Sequence, residues 1–237
     1  MKNDILTIKT IKNYKKMPDI IADALRDGIL RGTLEGGLPL KQDEIAKKFD
    51  VSLIPVREAL MQLENQGLVM SIRHKGVIVA PLSLNEMKMI FEIRKILEMG
   101  AAKIIIDRIE KDQLYQLKSL MTQMEEKMNL YRFNHLNTLF HQILLDSTYN
   151  NHLAETYRQI LTRAERYCMC ILSVSEALDT IKEDHRTIVN YIEEKQYDEL
   201  SKQLEEHIEK SQEVFISHAL HKFDAKELEW NTFFKFE

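Results

Sequence analysis

The chain has 237 residues, 44% of them hydrophobic and 30% charged, with a formal net charge of −4. This is the make-up of a folded globular protein with one or two domains and a sizeable core, not of a disordered chain or a polycation. Charge is unevenly spread: residues 1–82 carry 13 Lys and Arg against 10 Asp and Glu, and the remainder 20 against 27. A slightly basic front and an acidic back fit a DNA-facing module joined to a partner domain.

Residues 1–17 hold Lys2, Lys9, Lys12, Lys15 and Lys16 against Asp4 alone. This is a basic N-terminal arm, either a solvated tail or a source of non-specific attraction to phosphate. It lacks the apolar run of a signal peptide, and no uninterrupted apolar segment of about 18 residues exists for a membrane helix. The expectation is a cytoplasmic protein with no membrane partner. Cys168 and Cys170, at i and i+2 on a predicted helix, face different ways and are expected as reduced thiols.

From Pro18 to Arg31, Ile20, Ile21, Ala24, Leu25 and Ile29 recur at helical spacing. Gly32, Gly36 and Gly37 break the chain, and Glu44 to Phe49 follows as a short second helix. Asp50-Val51 turns into a third helix over Ser52–Gly67. There Ser52 is an N-cap by residue type, Pro55 sits in the first turn, and Val56, Leu60 and Leu63 form the buried face. Gly67 is placed for a left-handed C-cap. Arg57 points away from the buried face, able to reach phosphate or a base edge. Leu68–Met70 and Val77–Val79 are predicted strands, with Arg73, His74, Lys75 and Gly76 at the tip between them. Helix, turn, helix and a β-wing make a winged helix-turn-helix over residues 18–82.

This stretch resembles the DNA-binding domain of the GntR family of bacterial transcription regulators. Ile29, Gly32, Gly37, Ile45-Ala46, Val51-Ser52, Pro55 to Leu60, Leu63, Gly67-Leu68-Val69, Gly76 and Val79 carry the likeness. The resemblance implies DNA contacts from Ser52, Leu53, Ile54, Pro55, Arg57, Arg73, His74, Lys75 and Gly76. Two positions depart from it: Leu53 stands where the family has a guanine-reading arginine, and Asp43 where it often has arginine. Losing a bidentate arginine removes about 1–3 kcal/mol of discrimination at that base. Leu53 is expected to press on a thymine methyl instead.

Ser83-Leu84-Asn85-Glu86 has the pattern of a capping box. Beyond Gly100 there is neither glycine nor proline, which suits long helices. They are predicted at 84–108, 111–129, 132–147, 151–172, 176–195 and 197–221, with breaks near Tyr149-Asn150-Asn151 and Lys195-Gln196-Tyr197. The fold class is therefore mainly α: a winged helix-turn-helix followed by an all-helical bundle of about six helices over 83–222. An aromatic tail, 223–237, with Trp230, Phe233, Phe234 and Phe236, is expected to pack on the bundle or on a second subunit.

Three histidines lie on apolar stripes: His141 after Phe133, Leu136 and Phe140, His185 among Ile181, Ile188 and Ile192, and His207 among Leu200, Leu204 and Ile208. Asn137, at i−4 from His141, shares its face. Three imidazoles turned inward from separate helices make a divalent metal site, for Zn or Ni, conceivable beside the simpler reading of hydrogen-bonded core residues. His218, eleven residues after His207, is a substitute ligand on nearly the same face, and His135 and His152 are surface residues.

Residues 84–222 resemble the FadR-type (FCD) effector domain of the same family, on Ile93-Arg94, Leu97-Glu98, Asn137, Phe140-His141, Asp184-His185, Ile188 and His207. The resemblance implies that His141, His185 and His207 hold the metal, with Asn137 in place of an aspartate and so a weaker ligand. It also implies that Arg94 faces a small carboxylate effector, its alternative being a salt bridge with Glu98 at i+4. The expected function is a ligand-responsive regulator, a repressor by family habit, that binds inverted-repeat double-stranded DNA as a homodimer and is not an enzyme. The alternatives are a metal-independent sensor of acyl-CoA type and a metal-dependent helical enzyme. No HExxH-like motif supports the enzyme.

Overall fold

The structure, a computed structural model, describes residues 15–222 except 75, 175 and 176, and the side chains up to residue 218. The basic arm up to residue 14, Lys75 and the aromatic tail lie outside the described residues. Three helices open the described part: α1 (Met17–Leu30), α2 (Gln42–Phe49) and α3 (Leu53–Asn65). Two strands follow, β1 (Val69–Ile72) and β2 (Gly76–Val79), paired antiparallel with Val69 opposite Val79 and Ile72 opposite Gly76. Six helices complete the described part: α4 (Leu84–Arg108), α5 (Lys111–Glu125), α6 (Leu130–Asp146), α7 (Asn151–Leu172), α8 (Ala177–Glu193) and α9 (Tyr197–Lys222).

The described residues form two hydrophobic cores. Ile21, Leu25, Val56, Leu60, Leu63 and Val79 close the first, so the apolar stripes of α1 and α3 meet under the two strands. Phe91, Ile105, Leu117, Phe140, Leu144, Tyr157, Ile188 and Leu204 belong to the second, contributed by every helix from α4 to α9. Burial of this apolar surface is the main stabilising term for each.

Local chemistry explains most boundaries. Pro18 lies in the first turn of α1, where its missing N–H costs little. Asp50, at φ 53°, makes the left-handed step from α2 into α3. Tyr149 and Lys195, at φ 52° and 56°, do for two later breaks what glycine does elsewhere. Helix α5 ends at Glu125 rather than running on to 129, because the Asn129 side chain caps α6, accepting from the Arg132 N–H at 2.9 Å.

Two caps differ from expectation. Ser52 sits at the N-cap of α3, but its hydroxyl makes no capping bond. Only half of the capping box at Ser83 forms: Ser83 Oγ accepts from the Glu86 N–H at 3.2 Å, while the Glu86 carboxylate accepts from Tyr167 Oη at 2.7 Å. A partner on α7 outcompetes the local bond, and so fixes α4 against α7.

Helix α7 also touches the DNA-binding half. Glu165 pairs with Arg26 of α1 at 3.4 Å, Arg163 donates to the Asn65 carbonyl at 3.3 Å, and Arg166 donates to the Ala80 carbonyl.

Candidate metal centre and DNA-facing surface

Four helices bring the buried polar residues of the second core to one place. Helix α6 supplies Asn137 and His141, α8 supplies Asp184 and His185, α9 supplies His207, and α4 supplies Arg94 and Glu98. The three imidazole centroids form a near-equilateral triangle, with sides of 5.3, 5.1 and 5.1 Å. One ring nitrogen from each lies within 4.8 Å of the others.

Two rings are anchored from behind. His141 Nδ1 is 3.0 Å from Glu98 Oε2, and His207 Nδ1 is 3.1 Å from Asp184 Oδ2. A carboxylate accepts, so each Nδ1 carries the proton and each Nε2 turns a lone pair inward. This is the orientation in which carboxylate-backed histidines bind metals. The two Nε2 atoms then face each other at 3.3 Å.

His185 has no such anchor. Its ring stacks on Phe140 at 3.9 Å, and neither of its buried nitrogens has a hydrogen-bond partner among the described residues. Asn137 Oδ1, also buried, is equally without one. Unpaired buried polar atoms are costly and rare. Two residues with such atoms, His185 and Asn137, beside two inward lone pairs are the donor set of a borderline cation, so these residues fit a divalent metal.

Electrostatics agree. Burial holds His141 down at about 4, and burial followed by the neighbouring histidines holds His185 well below its ordinary value, so both imidazoles are neutral at pH 7. For Glu98, burial acts to raise the pKa, yet His141 and Arg94 beside it hold the carboxyl down at about 2. Asp184 is likewise lowered, by His207 and Lys210 acting against burial.

Arg94 lies at this site, but not free. Its Nε and Nη2 both donate to Glu98 Oε1, at 3.3 and 3.1 Å, and Tyr157 Oη donates to the same oxygen. Only Nη1, 4.0 Å from Cys168 Sγ, is turned elsewhere. The salt bridge at i+4 is thus formed. The cavity lined by Arg94, Asn137, His141, Cys168 and His207 has a volume of about 10 Å³, the space of roughly one water.

His218 cannot stand in for a ligand. Eleven residues of helix place it about 16 Å along α9 from His207, and it is no part of the histidine cluster. His135 and His152 are exposed. Cys168 and Cys170 form no disulfide. Tyr157 was not legible as a site residue, since on α7 it continues the core stripe of Ala154, Leu161 and Ala164. Glu98 did carry a signal: a lone acid on an otherwise apolar stripe of α4, four residues after Arg94.

On the other half, Ile54 is 67% exposed at the start of α3, whereas Leu53 is half-buried against the first core. Ile54 is thus the more exposed of the two apolar side chains at the start of α3. Arg57 is exposed, with Nε donating to Gln42 Oε1 of α2 at 3.0 Å. Lys41 pairs with Glu44 at 2.8 Å and not with Asp43. Arg73 and His74 are exposed in the turn between the strands, where His74 and Gly76 take φ of 64° and 82°. The Glu64 carboxylate accepts from the Ser71 N–H at 2.9 Å, tying the wing to α3.

Comparison with known proteins places both halves. Residues 19–79 match the gntR family of bacterial regulatory proteins, and residues 89–210 match the FCD domain. The chain is 27% identical over 176 residues to the HTH-type transcriptional regulator YdhC of Bacillus subtilis, covering 72% of this chain and 78% of that one. It is 32% identical over 123 residues to the HTH-type transcriptional repressor RspR of Escherichia coli, covering 51% of this chain and 54% of RspR. The crystal structure of a GntR family regulator from Pseudomonas syringae superposes with a TM-score of 0.51 at 29% identity, over 85% of both chains. No described helix is long and apolar enough to cross a membrane.

Proposed function

From the premise that this chain belongs to the FCD branch of the GntR family of bacterial regulators, we propose that it is a metal-assisted sensor of a small carboxylate that governs transcription. Residues 18–82 are the DNA-binding unit and 83–222 the sensing and dimerising unit. The relatives that this chain aligns with carry the names of transcriptional regulators and repressors. The chain is thus a DNA-binding transcriptional regulator, acting where a bacterial chromosome lies, in the cytoplasm.

On this reading a dimer sets two α3 helices on an inverted repeat. Ile54 and Arg57 reach the major groove, while Arg73, His74 and Gly76 at the wing, with Lys75 as expected from sequence, lie along phosphate or minor groove. His141, His185 and His207 hold a divalent metal, with Asn137 as a neutral fourth donor. When bound, the metal supplies positive charge that an anionic effector can complete. Glu98 and Asp184 fix the tautomers of His141 and His207, and Phe140 fixes the ring of His185. Arg94 offers Nη1, the edge not committed to Glu98, to an effector carboxylate.

The cavity of about 10 Å³ must widen to admit even a small acid. On this reading the helix that moves is α7, one of those that line the cavity. Helix α7 carries Tyr157 at the site and Arg163, Glu165 and Arg166 at the DNA-binding half. A ligand that favours the widened state therefore biases the placement of the DNA-binding heads, and repression is released.

The observation that carries this reading is the pair of unpartnered His185 nitrogens beside two carboxylate-backed imidazoles. Elemental analysis of the purified full chain, with mass spectrometry of co-purified small acids, tests it. About one Zn or Ni per chain is expected. A metal-free protein that takes up no divalent ion on titration overturns the sensor half.

A further inference from the structure

A second cavity lies where the DNA-binding half meets the helical half. Its volume is about 740 Å³, and it shares no lining residue with the histidine site. Leu30 and Leu34 line it from one half, Pro81 and Leu82 from the link, and Met169 and Phe215 from α7 and α9. Neither hydrophobic core closes over it: Leu34, Leu82, Leu84, Leu130 and Met169 border the gap and stay half-buried. At one edge the loop and the link touch, because a Cβ added at Gly36 would lie 2.9 Å from Pro81 Cα. Protein interiors are otherwise close-packed, and apolar cavities of this size at a junction between domains are where small molecules bind.

One polar group specifies the occupant. Arg166 of α7 lines the cavity and donates from Nη1 to the Ala80 carbonyl, but it forms no ion pair among the described residues. Glu86, the acid whose charge reaches it, is taken up by Tyr167 at 2.7 Å and Arg163 at 3.9 Å. Burial pushes the Arg166 pKa down, so its charge is poorly solvated there. The other charged groups at the cavity are on the loop side. Arg31 is paired with Asp27 at 2.8 Å and lies over the Tyr131 ring, and Glu35 is exposed. An unpaired guanidinium fits a planar carboxylate, and Glu35 nearby favours one negative charge over two.

We propose that this cavity is a second ligand site, for an aliphatic monocarboxylate. The carboxylate pairs with the uncommitted edge of Arg166, and the chain lies among Leu34, Leu84, Leu130 and Met169. Both halves of the molecule line the site, so an occupant favours one placement of the DNA-binding half over others. The site needs no metal and takes an apolar body that the histidine cavity has no room for.

The test is calorimetric titration of the full chain with decanoate, below its micelle concentration, and with the neutral decanol. Wild type should bind one decanoate per chain, with or without chelator, and decanol more weakly. Arg166→Gln should weaken decanoate about 10-fold and leave decanol unmoved, a selectivity that a merely structural arginine does not produce. Met169→Trp and Leu34→Trp fill the cavity from opposite walls, and each should weaken both probes at least about 10-fold. Decanoate should also shift the midpoint of DNA retardation by about 5-fold or more in wild type and not in Met169→Trp. An unshifted midpoint overturns the coupling. No decanoate binding, as when residues 223–237 fill the cavity themselves, overturns the site, and so does binding that chelator abolishes or that Arg166→Gln leaves intact. Zinc titration of the same samples separates this site from the metal reading. Decanoate binding in a chain that takes up no zinc supports the cavity and sinks the metal centre, and zinc uptake without decanoate binding does the reverse.

Discussion

Nε2 of His141 and Nε2 of His207 face each other at 3.3 Å, with the Nδ1 of each ring held by a carboxylate. Two lone pairs at that distance repel unless something positive lies between them. A proton there makes a buried imidazolium, which burial at His141 opposes. A divalent cation, also in reach of His185, satisfies both rings.

Removing a carboxylate behind a metal-binding histidine weakens binding without touching a ligand. Asp184→Asn should lower zinc affinity about 10- to 100-fold, and His207→Ala by far more. Competition against a chromophoric chelator measures both. Equal affinity in wild type and Asp184→Asn is incompatible with the anchoring role.

Asn137 is a neutral oxygen donor where a carboxylate is expected from resemblance. Asn137→Asp should bind zinc at least about 10-fold more tightly, since a charged oxygen attracts a cation more strongly. The same titration reads the change. Weaker binding in the variant would place Asn137 outside the ligand set.

Metal should also stabilise the fold. At a free metal concentration 100 times the dissociation constant, linkage adds about 2.7 kcal/mol of stability. A chelator should remove it, seen as a fall in melting temperature that is absent in the variant His185→Ala. A melting temperature indifferent to chelator would count against a resident ion.

The metal-free protein should lose stability in mild acid. His141 titrates near 6.5 when unfolded and near 4 when folded. Between those values the unfolded chain binds the extra proton, so stability falls as pH falls, by on the order of 1 kcal/mol per pH unit. Glu98, held at about 2 against an ordinary 4.5, adds a second loss in the window below 4.5. Denaturant melts in chelator at pH 7, 6 and 5 measure the first loss and melts at pH 4 and 3 the second, and a flat profile would refute it.

At the DNA surface, Arg57→Ala should weaken binding across sequences and reduce the salt slope by about one. Ile54 should read a thymine methyl. Replacing that thymine by uracil in a selected operator should weaken wild type by about 5-fold and leave Ile54→Ala unmoved. Strict dependence on the guanine usual for the family would instead show that a residue other than position 53 reads it.

Much of this was legible in the chain itself. Periodicity and the absence of Gly and Pro after Gly100 placed six long helices, because a helix period is a local property and breakers act locally. The same stripes marked His141, His185 and His207 as inward residues. The patterns at Ser52 and Ser83 suggest full caps that the structure does not form, because a sequence pattern does not show which partner wins. At Glu86 the winner is Tyr167, 81 residues away.

What the sequence by itself determined is which face of each helix is buried, since hydrophobic spacing along one element settles that. Only the tertiary structure decided what those faces meet. It put three imidazoles within 4.8 Å, gave Glu98 to both Arg94 and His141, and half-buried Leu53 while exposing Ile54. The reason is physical: a side chain's direction follows from its own helix, but its neighbours depend on how separate helices cross, and that is fixed by packing between residues far apart in the chain.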